Sequence, residues 1–313
     1  MNDQFAADIR KGLHHNPKYL PSKYFYDEVG DRLFQKIMGL SEYYLTDAEF
    51  QILYNIKADL PEKGRLMQSF NLVELGAGDG YKTKILLKHL IRSEVDFRYI
   101  PIDISENVLN KLQSDLQSTF PELSVEPVTG EYFSALDKIR KHSSGRNFLL
   151  FLGSTIGNFS FHEAVDFLKM LHNHMNDGDY ILIGFDLKKD PLTILRAYND
   201  YAGVTRDFNM NLLHRINREL GGNFRDENFY HYPMYDPSSG EARSYLISRM
   251  AQEVYIEKLN ETISFALGEP VLMEISRKYD REGIENLATK AGFTVCEFFF
   301  DDRRYFTDVL WQA

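Results

Sequence analysis

The stretch Asn71-Leu72-Val73-Glu74-Leu75-Gly76-Ala77-Gly78-Asp79-Gly80, followed by Pro101-Ile102-Asp103-Ile104-Ser105, constrains this chain more than any other. An apolar strand runs into a glycine-dense turn, a helix follows, and a second apolar strand ends on a carboxylate. That order suits a nucleoside cofactor. Glycines let backbone pass close beneath a ligand, and an acid about 25 residues on can accept the two ribose hydroxyls. The G-A-G-D-G spacing lacks the third glycine of G-x-G-x-x-G because Tyr81 stands in its place, so a dinucleotide's pyrophosphate loses its close helix approach. S-adenosylmethionine has no phosphate to cradle, and the E-L-G-x-G-x-G form suits it better. These residues alone favour a methyltransferase and leave a dinucleotide enzyme and a plain structural turn open.

Composition narrows the partners. The 313 residues suit one large domain or two modest ones with ample core. A net charge of −10 disfavours nucleic acid, whose phosphates need a basic face. The 14% aromatic share, from 23 Phe and 19 Tyr, fits pockets that hold cations or rings, although it also serves ordinary cores. Cys296 is the single cysteine, which excludes an intramolecular disulfide and fits a reducing compartment. It lies in Phe293-Thr294-Val295-Cys296-Glu297-Phe298, which reads as a buried strand, so it is a poor candidate nucleophile. Met1-Asn2-Asp3-Gln4-Phe5 carries no apolar signal region, and no apolar run reaches the roughly 18 residues of a membrane span. The expectation is a soluble, cytoplasmic monomer. No metal site is expected: His162-Glu163-Ala164-Val165-Asp166 lacks the second histidine of H-E-x-x-H.

Along the chain, the first fifty residues are aromatic-rich and helical in pattern, as in Asp31–Met38. Thr46-Asp47-Ala48-Glu49 reads as an N-cap with acids in the first turn of a helix ending near Ile56. From about Phe70, strands at Leu72–Leu75, Arg98–Ile104, Asn147–Leu152 and Tyr180–Asp186 alternate with helices near Thr83–Leu90, Asn107–Leu116, Phe133–Lys141 and Phe161–Met175. Such alternation predicts an α/β fold, a mostly parallel sheet with helices on both faces. Its ligands bind beyond the carboxyl ends of the strands, where Gly76, Asp103, Gly153 and Asp186 fall. After about Asp190 the pattern changes. Helices are expected at Pro191–Tyr201 and Asn209–Leu220, with Gly221-Gly222 as C-cap. Strand-like segments follow at Arg243–Arg249, Glu253–Ile256 and Glu261–Phe265. The end reads as a helix, Gly283–Ala291, and two antiparallel strands, Phe293–Phe300 and Phe306–Trp311. Between those strands Asp301-Asp302-Arg303-Arg304 reads as a solvated hairpin tip. The expected division is 51–188 with 278–313 as a Rossmann-like, cofactor-binding methyltransferase domain. Residues 1–50 with 189–277 form a second, discontinuous α+β lobe for the substrate.

Several further motifs carry a resemblance. They are Lys23-Tyr24-Phe25-Tyr26-Asp27, Ser41-Glu42-Tyr43-Tyr44, Lys82-Thr83, Gly153-Ser154-Thr155-Ile156-Gly157-Asn158, Ala197-Tyr198 with Ala202-Gly203-Val204-Thr205, Asn217-Arg218-Glu219-Leu220-Gly221 and Glu274-Ile275-Ser276. Together with the glycine turn, the chain resembles, over nearly its whole length, the histidine-specific S-adenosylmethionine-dependent methyltransferases, which make the trimethylhistidine hercynine in ergothioneine biosynthesis. The resemblance implies cofactor contacts from Gly76, Lys82, Asp103, Glu131 and Tyr132. Glu131-Tyr132 stands where the family usually has Asp-Phe beside the adenine. It also implies Tyr43, Asn158 and Tyr198 at the amino acid's backbone groups, Glu274 and Ser276 at its imidazole, and Tyr26 beside the amine. Ser244 stands where the family often has a methionine near the imidazole, which loosens the expected preference for histidine.

Those residue types suit those tasks. An asparagine amide offers donors and an acceptor to span a carboxylate and an amine. Tyrosine hydroxyls donate without adding positive charge that repels a sulfonium. A glutamate accepting from an imidazole N–H makes a charge-assisted bond worth about 1.5–3 kcal/mol. Read without the resemblance, the tyrosine clusters are core or interface aromatics, Lys82 a solvated helix-face lysine, Asn158 a turn residue, and Glu274 a solvated strand-end acid. Methylation of another amino acid or small amine, a dinucleotide oxidoreductase and a non-catalytic ligand sensor are the alternatives.

Overall fold

The computed structural model describes residues 2–64, 69–142 and 145–313. Among these the strands are, in chain order, β1 (Phe70–Leu75), β2 (Phe97–Asp103), β3 (Val128–Thr129), β4 (Arg146–Phe151), β5 (Tyr180–Asp186), β6 (Phe229–Asp236), β7 (Glu241–Ser248), β8 (Gln252–Ile256), β9 (Glu261–Phe265), β10 (Pro270–Arg277), β11 (Thr294–Phe300) and β12 (Phe306–Gln312). The chain separates into two compact units, Met1–Tyr44 with Lys189–Arg277 and Leu45–Lys188 with Lys278–Ala313. The helix Leu45–Ile56 falls wholly in the second of these, whereas the expected break at residue 51 lies inside it.

In that sheet unit, seven strands run in the order β11-β12-β5-β4-β1-β2-β3. β1 to β5 are parallel, and β12 pairs antiparallel with both β5 and β11. β1 and β5 are buried along their whole length, as strands covered by helices on both faces must be. The predicted parallel sheet with an antiparallel ending is present. Val73, Ile102, Phe151, Ile183, Leu287 and Trp311 belong to one continuous core. Cys296 is exposed, contrary to expectation, because β11 is an edge strand and alternate residues such as Thr294 and Cys296 face outward. Asp301 is also displaced from its expected place at a solvated tip. It is buried, and its carboxylate accepts from the backbone N–H groups of Arg303, Tyr305 and Phe306.

In the other unit, β6, β7 and β10 form an antiparallel sheet in the order β10-β7-β6, and β8 pairs with β9. The helices Asn2–His14, Glu28–Met38, Pro191–Ala197 and Val204–Leu220 complete it. Phe5, Ile9, Phe25, Phe208, Ile216, Leu246 and Phe265 are part of its core. The helix expected from Asn209 begins at Val204 instead. Gly203 enters it at φ 74°, and the Asp200 carboxylate accepts from the first two amides, of Val204 and Thr205, each at 2.8 Å. In β10 an extra residue, Met273, breaks the register between Leu272, opposite Tyr245, and Glu274, opposite Ser244. This bulge puts Glu274 and Ser276 on the face shared with Ser244 and Ala242.

Candidate active site

β1 and β4 are neighbours from which the chain continues in opposite directions across the sheet, to β2 and to β5. The loops leaving their carboxyl ends flank a topological switch point, the usual ligand crevice of such sheets. The first loop is the glycine turn. Gly76 lies at φ 75°, and a Cβ there would sit 2.9 Å from the Tyr132 hydroxyl, so both conformation and space demand glycine. Tyr132 is thereby laid directly against the turn.

Asp103 closes the same corner from the end of β2. Its Oδ2 accepts from Gly78 N–H at 3.1 Å and its Oδ1 from Ser105 N–H at 2.9 Å. One carboxylate thus fastens the turn to β2, and each oxygen keeps a lone pair for a further donor. Burial raises the Asp103 carboxyl above its ordinary range. Burial also raises the Tyr132 phenol, with the charges of Asp103 and Glu131 adding to it, so Tyr132 remains a neutral hydroxyl. Glu131 itself is exposed.

Lys82 precedes the helix Thr83–Arg92 as its N-cap residue. It is not a solvated lysine: its ammonium is paired with Glu49, which has no exposure at all. The Glu49 carboxylate also accepts from Gly153 N–H, at 2.7 and 3.0 Å to its two oxygens. Sequence reasoning treated Glu49 as a first-turn acid behind a Thr46 cap. The helix instead starts at Leu45, and Thr46 is buried inside it. The signal was present, since Glu49 shares the apolar face with Ile52, Leu53 and Ile56 at three-, four- and seven-residue spacing. Glu74 is a second buried acid that sequence reasoning missed. It accepts from Thr83 Oγ1 at 2.6 Å and from the Tyr99 hydroxyl, and burial pushes its carboxyl up to about 7.

The second loop follows β4. Ser154 stands at φ 55°, its hydroxyl accepts from Asp186 N–H at 3.1 Å, and a short 3₁₀ turn, Thr155–Asn158, carries Asn158 to an exposed position. Asp186 is fully buried in an ion pair with Lys278 at 2.7 Å.

The remaining expected site residues lie in the other unit. Tyr26 and Tyr43 pack edge-on against Phe34, with ring centroids 5.6 and 6.3 Å away, and Phe208 lies 5.7 Å from Tyr26. The Tyr198 hydroxyl donates to Ser276 Oγ at 2.7 Å, and both residues are buried. Glu274 is half-buried within β10, not at a strand end. Opposite it, Ser244 is 1% exposed and its hydroxyl has no hydrogen-bond partner among the described residues. A carboxylate with a pair of hydroxyls suits a polar ring, and an aromatic cluster suits a cationic amine.

Comparison with known proteins agrees with this chemistry. Residues 5–313 match the model of the family described as histidine-specific methyltransferase, SAM-dependent. The chain is 37% identical to the histidine N-alpha-methyltransferase of Mycolicibacterium smegmatis, over 96% of this chain and 92% of that one. It is 35% identical to the enzyme of the same name from Mycobacterium tuberculosis, over 94% and 90%. Among solved structures, the mitomycin 7-O-methyltransferase MmcR shares the fold alone, with a TM-score of 0.51 and 11% identity over 99% of this chain and 66% of that one. The chain belongs to the histidine-specific, S-adenosylmethionine-dependent methyltransferases.

Proposed function

We infer that this chain transfers methyl groups from S-adenosylmethionine to the α-amino nitrogen of L-histidine, up to three times, giving hercynine. The observation that carries this reading is the family match across residues 5–313. Asp103 supports it, since it sits beneath the glycine turn with acceptor capacity to spare. In this assignment the sheet unit holds the cofactor. Asp103 takes the ribose hydroxyls, Glu131 and Tyr132 flank the adenine, and Gly76 and Lys82 complete the grip. The other unit supplies recognition of the amino acid. Tyr43 and Tyr198, with Asn158, serve the backbone groups, Glu274 and Ser276 the imidazole, and Tyr26 the amine. The protein is taken to act as a cytoplasmic monomer.

The chemistry asks mainly for positioning. Amine nitrogen, methyl carbon and sulfur must come near in line at about 3–3.5 Å. The attacking amine must be neutral, and both the sulfonium charge and desolvation disfavour the ammonium, so no strong base is assigned. Tyr26 and Asn158 orient the lone pair instead. The growing cation is tolerated by aromatic faces such as Tyr26 and Phe34. The trimethylated product has no lone pair, and the reaction stops there.

Incubation with histidine and S-adenosylmethionine, read by mass spectrometry, should show gains of one, two and three methyl groups. No gain with histidine refutes the reading. Ser244 favours a second reading, because a small side chain whose buried hydroxyl has no partner among the described residues stands opposite Glu274, where an additional donor or acceptor on the substrate could be matched. A panel of amino acids in the same assay separates the two.

A further inference from the structure

The sheet unit contains a buried group that neither the cofactor nor the substrate assignment uses. Asp308, in β12, has no exposure, and neither of its carboxyl oxygens has a donor facing it among the described residues. Another carboxyl group lies beside it, that of Glu49, which reaches over Gly184, the residue paired with Asp308 across the sheet. Two carboxyls meet this way only when one of them carries a proton. Glu49 is already engaged by two donors, the Gly153 amide and the Lys82 ammonium. Asp308 has no such donor among the described residues, and burial, with the Glu49 charge adding to it, raises its carboxyl well above the ordinary range, which favours the neutral acid there. Gly184 stands opposite Asp308 in β5, and a Cβ there would come within 2.2 Å of Glu49 Oε1. The sheet has been left bare at that position so that a carboxylate can enter.

We propose that Asp308 is a positioning residue for methyl transfer: as the neutral acid it donates to Glu49, and the carboxylate held in this way fixes both the Gly153 amide and the Lys82 ammonium. Among the described residues, the charged groups acting on Asp308 are Glu49 and Lys82, and Glu74 of β1 acts on the same two. Gly153 opens the loop that ends at Asn158, and Lys82 caps the helix that follows the glycine turn. One proton thus ties the roots of both loops at the switch point. If Asp308 were ionised, two carboxylates would compete for one ammonium in a buried site, and Glu49 would be driven off one of its partners. The inference rests on the assignment of Lys82 to the cofactor and Asn158 to the amine.

The test uses the full chain with Asp308→Asn and Asp308→Ala. An asparagine amide can donate to Glu49 as the neutral acid does, and alanine cannot. Asp308→Asn should keep kcat and the KM for S-adenosylmethionine within about threefold, while Asp308→Ala should lose about tenfold or more in kcat/KM for the cofactor. Infrared difference spectra at pH 8 should show the carbonyl band of a protonated acid in the unsubstituted protein and not in Asp308→Asn. Equal losses in both variants, or no such band, overturn the proposal. If Asp308→Ala does not fold, Asp308→Asn decides alone: near-normal turnover with loss of the band supports the proposal, and a tenfold fall in turnover overturns it. The band reports the proton whatever Lys82 binds. Normal cofactor affinity in Lys82→Ala would remove the Lys82 assignment and leave the carboxyl pair standing.

Discussion

Removal of the Asp103 carboxylate is the sharpest test of the cofactor assignment. Its two oxygens each accept one backbone N–H, from Gly78 at 3.1 Å and from Ser105 at 2.9 Å, and each retains one acceptor site. Two ribose hydroxyls can fill those sites, and a hydrogen bond to a charged group is worth about 1.5–3 kcal/mol. Asp103→Ala removes both, about 3–6 kcal/mol, so the dissociation constant for S-adenosylmethionine should rise about 10²- to 10⁴-fold. Asp103→Asn keeps one acceptor and should cost about 10- to 150-fold. Titration calorimetry on the full chain measures both values, with thermal melting as a check that the turn still closes. Burial raises the Asp103 carboxyl, so acidification should weaken cofactor binding from a higher pH than an ordinary aspartate would. The protonated acid loses acceptor strength, and the asparagine variant should lack this pH dependence. An alanine variant that melts normally and binds within about threefold of the unsubstituted chain would refute the ribose assignment.

Three other outcomes are expected. Glu274→Ala should raise the KM for histidine about 10- to 150-fold with cofactor affinity unchanged, and an unaltered KM would remove the imidazole assignment. Asn158→Ala should cripple turnover while calorimetry shows normal cofactor binding; retained activity counts against its place at the amine. Glu74 is fully buried and its carboxyl is raised from 4.5 to about 7, so its stabilising share is complete below about pH 4.5 and lost as pH rises through about 7. Glu74→Gln should therefore gain stability relative to the unsubstituted protein between pH 4 and pH 8, by up to about 3 kcal/mol, and parallel melting curves across that range would contradict it.

The sheet unit was readable because its elements have distinct periods and lengths. Continuous apolar runs mark β1, β4 and β5, and three-and-four spacing marks the helices between them. The turn at Gly76 and the acid at Asp103 were legible for the same reason: their residue types are dictated by backbone conformation and hydrogen bonding. What escaped notice in the other unit lies at irregularities. β6 contains Pro233, which argues against a central strand, yet β6 is a sheet edge where a missing N–H is tolerated. β10 breaks its alternation at Met273, which disguises Glu274 as a strand-end acid. Glu49, Glu74 and Asp308 escaped because each is an acidic residue within an apolar pattern, and acids there read as exposed positions until the fold is seen to bury them.

The one-residue irregularity at Met273 also limits how this strand can change. Side chains 244, 274 and 276 can be exchanged one at a time while the backbone stays put, so under the proposed assignment selectivity can drift through point substitution. Deleting a single residue between 271 and 274 would instead turn Glu274 to the opposite side of the strand and take it out of its proposed role at a stroke. Directed evolution of new amine substrates should therefore sample letters at these positions and hold the length of the segment fixed.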